Sequence, residues 1–328
     1  MQNTQKGRLK KVIAAIITLV IAAGSLYLAL RRVDWHEMLV TLSSANLALL
    51  AAGVLTLGIS CFIRGIRWHV LLSAEKSLSV LTVFWTNMVG YLGNSYLPAR
   101  AGEVMRSVFI GQKAGISKSF SLATALVERI VDAILLVFIG AAALATFSNL
   151  PPQLLAGLRV MAGVGAVGVV GIIIAPRLSG PAQRVINVLP VSEKLRGIIS
   201  GITEKFLVGA GALQRWSRLW QFLLYSAVIW SLDTVTGLIV SRAFGLSLNP
   251  IQVFILLAAL GLFSAIPSTP GYVGVYQAVA VLIMVPFGFS EAQSVAYIIG
   301  YQGVQYATIT ILGLIGLWKI KGALTLRG

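Results

Sequence analysis

Residues 12–30 are nineteen consecutive uncharged residues set behind Lys6, Arg8, Lys10 and Lys11. At about 1.5 Å per helical residue such a run reaches across a bilayer's hydrocarbon core of about 30 Å. A cleavable signal peptide would share the basic start and the small residues Ala22, Ala23 and Gly24, but its apolar stretch is shorter. Five further runs of spanning length occur at about 44–63, 120–146, 157–175, 219–241 and 293–318, each ended by Pro, Gly or clustered charge. Six spanning helices are therefore expected. With 57% apolar and only 11% charged residues, no soluble domain is expected at either end. An enzyme for a water-soluble substrate has nowhere to place its fold.

Two other apolar stretches, 79–114 and 251–286, are broken near their middles. The first break reads Gly93-Asn94-Ser95-Tyr96-Leu97-Pro98-Ala99-Arg100-Ala101-Gly102-Glu103; the second reads Ser264-Ala265-Ile266-Pro267-Ser268-Thr269-Pro270-Gly271-Tyr272-Val273-Gly274. Pro removes a backbone donor and Gly loosens the chain, so each stretch reads as two short helices joined by a tip. Irregular backbone survives at membrane depth only inside protein or beside a wet cavity, which makes both stretches re-entrant hairpins.

Charge fixes the orientation. The chain carries 26 Lys and Arg against 10 Asp and Glu, a formal +16 that in a soluble protein would point to nucleic acid. Here the excess belongs in loops facing anionic lipid, and no nucleic-acid partner is expected. With six spans, two hairpins and an inner N-terminus, nineteen of the 26 cations fall inside, among them Arg64 and Arg67. Only Arg31, Arg32, Arg159 and Arg242 fall outside, and Arg100, Arg106 and Arg129 stay at membrane depth. Both termini are then cytoplasmic. The basic, mixed segment from 176 to 218 is expected to lie on the inner surface as amphipathic helix.

A shift of 169 places Ser95 on Ser264, Pro98 on Pro267, Gly102 on Gly271 and Val104 on Val273. Each tip sits between two spans, and one hairpin enters from inside, the other from outside. The fold expected is thus an all-α integral membrane protein with an inverted-topology repeat, the device by which transporters build a midplane site. The chain reads as one polytopic domain: an N-terminal helix and outer loop (1–43), a first repeat (44–146), a connecting helix with the inner segment (147–218), and a second repeat (219–318).

Ionisable groups at membrane depth are functional candidates by default. Glu128, Arg129 and Asp132 lie within one helix, Asp233 inside another, and Arg100, Glu103 and Arg106 on the first hairpin. An Arg129 ion pair with Asp132 or Glu128 that only fixes packing is the plainer alternative. The helix turn at Gly102, beside Arg100, offers free backbone N–H groups to an anion. Across from it, Gly271 and Gly274 bare backbone donors while Ser268 and Thr269 supply hydroxyls. A phosphate held between the tips fits these donors. Glu103, Glu128, Asp132 and Asp233 make four acids against three arginines, which suits either an ion paired with a cation or a carboxylate that carries a proton. One cysteine, Cys61, and two histidines leave no disulfide or metal centre, and no cofactor is expected.

The motifs Leu97-Pro98-Ala99-Arg100-Ala101-Gly102-Glu103 with Arg106, Glu128-Arg129 with Asp132, and Pro267 to Gly274 resemble the lysylphosphatidylglycerol synthase transmembrane-region family, also called flippase-like domains. The resemblance covers nearly the whole chain. It implies lipid translocation in a bacterial or archaeal cytoplasmic membrane, with lipid-modifying enzymes of the same pathway as partners. The sequence has no counterpart of the synthases' aminoacyl-transfer domain, so lysyl transfer is not expected. After Gly274 the family often has an acidic residue, whereas Val275-Tyr276-Gln277 follow here.

Two functions compete at this stage. The leading one is a flippase for an anionic phospholipid, a polyprenyl-phosphate-linked lipid or a hopanoid-type lipid. The other is a membrane-embedded transferase acting on a lipid phosphate, with Asp34, His36 and Glu37 as acid and base.

Overall fold

The computed structural model describes residues 23–27, 29–97, 101–144, 163, 166–167, 186–188, 191–264 and 270–324. Most of the expected spans at 12–30 and 157–175, and both termini, lie outside these residues.

Every regular element among the described residues is helical. After the helical residues 23–27 and 29–30, α1 (Trp35–Ser43) starts where the Asp34 carboxylate accepts the backbone N–H groups of His36 and Glu37 at 2.9 and 3.1 Å. Next come α2 (Leu47–Leu72), α3 (Val80–Tyr96), α4 (Ala101–Ala114) and α5 (Lys118–Leu144). They are followed by α6 (Glu193–Gly211), α7 (Trp216–Ala243), α8 (Pro250–Phe263), α9 (Val275–Met284) and α10 (Glu291–Leu324). Pro250 opens α8 behind a reciprocal cap between Asn249 and Gln252, which satisfies the orphan donors there.

Among the described residues, three helices are long and apolar enough to cross a membrane: α2, α7 and the Glu291–Ile320 part of α10. Their outer faces keep large apolar side chains exposed, including Leu55, Ile59, Leu224, Ile311 and Leu314, as lipid-facing surfaces do. Helix α5 is 27 residues long but carries Glu128, Arg129 and Asp132.

The sequence reading ended the second span near residue 63 and put Arg64 and Arg67 in an inner loop. Helix α2 instead runs on to Leu72, and Arg67 is 1% exposed. Trp68, Val70, Leu71 and Leu72 resume the apolar pattern around His69, so the chain meets no breaker before the polar stretch that follows. The arginine is tolerated because partners from other helices reach it.

Both broken stretches appear as two helices. Helices α8 and α9 pack on each other. Helices α3 and α4 meet through glycine: a Cβ at Gly93 would lie 2.8 Å from Gly102 Cα, and one at Gly90 would lie 2.8 Å from Arg106 Cβ. No larger side chain fits that crossing unless the backbone moves. The 169-residue shift also carries the element boundaries. It takes Leu47, the start of α2, onto Trp216, the start of α7, and Ala101, the start of α4, onto Pro270, where the second break turns back into helix.

The chain divides into two compact units. One holds the described parts of Met1–Leu57, Asn94–Arg100 and Asp233–Thr308. There α1 is tied to the start of α10: Val33 and Met38 pack with Ala292, Val295 and Ala296, and the Ser290 hydroxyl donates to Glu37 Oε1 at 2.8 Å. The backbone N–H of Asn46 donates to the Ala243 carbonyl at 2.8 Å. The other unit holds Gly58–Gly93, Ala101–Leu232 and Ile309–Gly328 in their described parts. Its core joins Trp68, Leu71, Leu72, Val83, Ile110, Val127, Val131 and Phe222. Three polar ties close one end of it: Lys76 Nζ to the Ala114 carbonyl (2.8 Å), Ser117 N–H to Glu75 Oε1 (2.9 Å), and Arg218 Nη2 to the Ser73 carbonyl (3.3 Å). Over Glu193–Gly211 the expected surface segment is a helix docked on α5, with Gly209 against Ala123.

Candidate functional site

A ladder of alternating charges fills the interior of the second unit. Arg67 on α2 grips Asp132 with both terminal nitrogens, Nη1 to Oδ1 at 2.6 Å and Nη2 to Oδ2 at 2.8 Å. The same Nη2 reaches Glu128 Oε1 at 2.8 Å, and Nη1 reaches the Ser226 hydroxyl of α7 at 2.9 Å. Glu128 passes the chain on: its Oε2 accepts from Arg106 Nη2 at 3.1 Å, while Arg106 Nη1 donates to Asn87 Oδ1 at 2.7 Å. Arg106 Nη2 also lies 2.6 Å from Glu103 Oε2 as an ion pair. Glu103 Oε1, finally, accepts from Arg129 Nε and Nη2 at 3.1 and 2.8 Å.

Three guanidinium groups thus alternate with three carboxylates on α2, α4 and α5. Local spacing helps to build it. Glu128 and Asp132 are four apart on α5 and share one face, so a single planar fork can bridge them; Glu103 and Arg106 are three apart on α4. Aromatic faces complete the enclosure, with Arg106 over Trp68 at 4.5 Å and Arg67 over Phe222 at 4.9 Å. Burial is graded along the ladder: the side chains of Arg67 and Arg106 are 1% exposed, whereas that of Arg129 is 39% exposed. Taking several charges out of water is tolerable only because each has opposite charge and hydrogen bonds around it. The ladder offers a partly accessible arginine edge to an anion.

Of the residues expected from the sequence, Gly102, Glu103, Arg106, Glu128, Arg129 and Asp132 are brought together here. Arg129 pairs with Glu103 rather than with its helical neighbours. Arg67, Asn87 and Ser226 are members that the sequence reading did not assign. Asp233 is buried in α7 and belongs to the other unit, as do Gly271 and Gly274. Arg100, Ser268 and Thr269 lie outside the described residues.

The turn at Gly271 is built from residues in left-handed backbone: Gly271 (φ 71°), Tyr272 (φ 60°) and Gly274 (φ 89°). Two glutamines, one from another helix, engage its polar groups. The Gly274 N–H donates to Gln277 Oε1 at 2.7 Å, Gln277 Nε2 donates to Gln302 Oε1 at 2.7 Å, and Gln302 Nε2 donates to the Gly271 carbonyl at 2.9 Å. The Gly274 donor expected for a ligand is therefore taken by Gln277, because the glutamine three residues on closes a cap. Tyrosine rings flank the turn, with Tyr272 stacked on Tyr276 at 4.9 Å and Tyr96 near Tyr306 at 5.8 Å.

Asp34 and Glu37, considered above as acid and base, are engaged in capping α1 and in holding Ser290.

The family described as "Lysylphosphatidylglycerol synthase TM region" matches residues 15–313. "Glycosyltransferase AglD" of Haloferax volcanii is 25% identical over 96% of the chain, which spans 55% of that relative's length. "UPF0104 membrane protein PH1989" of Pyrococcus horikoshii is 24% identical over 82% of the chain and 86% of its own length. No solved structure gives a significant match. A family match across most of the chain, together with its apolar spanning helices, makes this multi-pass membrane protein a member of the lysylphosphatidylglycerol synthase transmembrane-region family.

Proposed function

We propose that the protein translocates a phosphate-bearing lipid across the cytoplasmic membrane. The substrate class is an anionic phospholipid, a polyprenyl-phosphate-linked lipid or a hopanoid-type lipid carrying such a group, and lipid-modifying enzymes of the same pathway are its partners. The observation that carries this reading is the buried ladder of three arginines and three carboxylates, open at Arg129. Such a set is costly in apolar surroundings, and a helix bundle needing only stability would be as well served by apolar packing. An arginine fork matches the paired oxygens of a phosphate as it matches a carboxylate.

In this reading the protein has six spans, two re-entrant hairpins and an inverted-topology repeat, with both termini cytoplasmic. Side-by-side loops support that arrangement. Those assigned to the inner face meet through the Lys76, Glu75 and Arg218 ties, and those assigned to the outer face meet through Glu37 with Ser290 and Asn46 with Ala243.

The test is reconstitution into vesicles with fluorescent phosphatidylglycerol or a fluorescent polyprenyl phosphate, followed by a membrane-impermeant quencher. Translocation exposes inner-leaflet probe, so the quenched fraction rises above the half expected of sealed vesicles. Quenching equal to protein-free vesicles for every lipid of the panel would remove the proposal.

A further inference from the structure

In the ladder, Arg129 presents Nε and Nη2, the side-on edge of its guanidinium, and both nitrogens are occupied by one oxygen of Glu103. The second oxygen of that carboxylate lies 2.6 Å from Arg106 Nη2. Glu103 therefore spans two arginines with its two oxygens, the same bridge that the non-ester oxygens of a phosphodiester would make. The other two acids are held differently. Asp132 is gripped by the buried Arg67, and Glu128 lies between Arg67 and Arg106 with a 3% exposed side chain. Glu103 is the acid whose arginine partner is exposed, and it stands on the first turn of α4, directly after the chain break.

We propose that the Arg129–Arg106 edge is the phosphate subsite and that Glu103 is its resident counter-anion, displaced when a lipid phosphate binds. This rests on the lipid-phosphate reading above and adds to it a competitor built into the site. The carboxylate keeps the arginines paired while no head group is bound. It thereby lowers the affinity for every phosphate ligand, which favours release after transport. The neutral ladder admits the incoming charge by exchanging one anion for another, so no guanidinium is left bare.

The experiment is calorimetric titration of the purified full-length chain in maltoside detergent. The probes are dihexanoyl phosphatidylglycerol, dihexanoylglycerol as the phosphate-free control, and inorganic phosphate as competitor. Glu103→Gln, which removes the competing charge, is expected to bind dihexanoyl phosphatidylglycerol about ten-fold more tightly, the scale of one charge-assisted hydrogen bond. Binding of dihexanoylglycerol should not change. Adding Arg129→Gln to Glu103→Gln should abolish the gain. Competition by inorganic phosphate that strengthens in Glu103→Gln upholds a site for phosphate itself, and tightening without such competition upholds one that needs the lipid.

Unchanged or weaker binding by Glu103→Gln, with its thermal midpoint preserved, overturns the proposal. Should that variant fail to fold, Glu103→Asp withdraws the carboxylate by one methylene and is expected to tighten binding by a smaller factor. No tightening there overturns the proposal equally. Translocation by the wild type with no affinity gain in either variant removes the exchange alone. If the wild type and all variants bind dihexanoyl phosphatidylglycerol no better than dihexanoylglycerol, the lipid-phosphate reading falls with it.

Discussion

Arg67 and Arg129 carry the same charge and sit in the same ladder, yet their surroundings separate structure from function. Arg67 is enclosed and satisfies Asp132, Glu128 and Ser226 together. Its removal takes the arginine from buried Asp132 and one of two arginines from Glu128, and breaking a buried pair from one side costs about 3–5 kcal/mol. Arg67→Ala is therefore expected to lower the thermal midpoint sharply or to prevent folding. Arg67→Lys should recover only part of it, because an ammonium cannot bridge two carboxylates and a hydroxyl in one plane. Arg129 ends the ladder with a half-exposed side chain and Glu103 as its hydrogen-bond partner. Arg129→Ala should cost little stability, about 1 kcal/mol or less, while abolishing translocation. Thermal unfolding and vesicle transport measured on all three variants check this, and equal stability losses at the two positions would contradict it. Much of the ladder was legible in the sequence because charge inside an apolar helix is conspicuous: Glu103, Arg106, Glu128, Arg129 and Asp132 stood out. Arg67 did not, since it follows Arg64 at the end of an apolar run and reads as the start of a loop. What makes it interior is the set of acids on α5, and no local pattern records a partner 65 residues away.

At the scale of elements, the 169-residue shift carries the start of α2 onto that of α7 and the start of α4 onto the second turn, but the two stretches do different chemistry. The 169-residue shift takes Glu128 onto Tyr297 and Asp132 onto Tyr301. Where α5 meets α2 through charge, α10 meets α7 through the Tyr297 hydroxyl, which donates to the Gly237 carbonyl at 3.2 Å. The second break is held by directional hydrogen bonds from Gly274 through Gln277 and Gln302 to the Gly271 carbonyl. Gln277→Glu keeps the acceptor for Gly274 but loses the donor toward Gln302. Flipping the Gln302 amide would then set its oxygen against the Gly271 carbonyl, so the break cannot be repaired locally. We expect a loss of about 1–3 kcal/mol, the cost of a buried polar group left unsatisfied, read as a lower midpoint. Gly271→Ala should be worse: φ is 71° and the new Cβ would collide with the Tyr306 hydroxyl. Tyr306→Ala in the same chain should restore part of the loss by clearing the space, the backbone strain remaining. Pro and Gly made both breaks legible beforehand. The glutamine clasp was not, because Gln302 comes from another helix.

For the molecule as a whole, the proposed orientation rests on charge. Moving Arg64 and Arg67 from an inner loop into α2 leaves seventeen inner cations against four outer ones, still a strong positive-inside bias. Orientation is directly measurable because Cys61 is the chain's sole cysteine and is buried. Replacing it by Ala gives a background in which Asn3→Cys, Pro151→Cys, Phe289→Cys and Gly328→Cys can each be labelled from either side of sealed, intact cells. The first and last should react only after permeabilisation, whereas the middle two should react with an impermeant maleimide added outside. The four positions test different parts of the arrangement. Reading either hairpin as a single span adds one crossing and inverts every loop after it. An outer Gly328 with an outer Phe289 would mean an even number of crossings after Phe289, and an inner Pro151 would put the error before the connecting helix. Each result also bears on transport: an inverted repeat gives the two hairpins access from opposite faces, which alternating exposure of a lipid head group requires. If Asn3 and Gly328 are found on opposite faces, the six-span arrangement and the inverted repeat fail together.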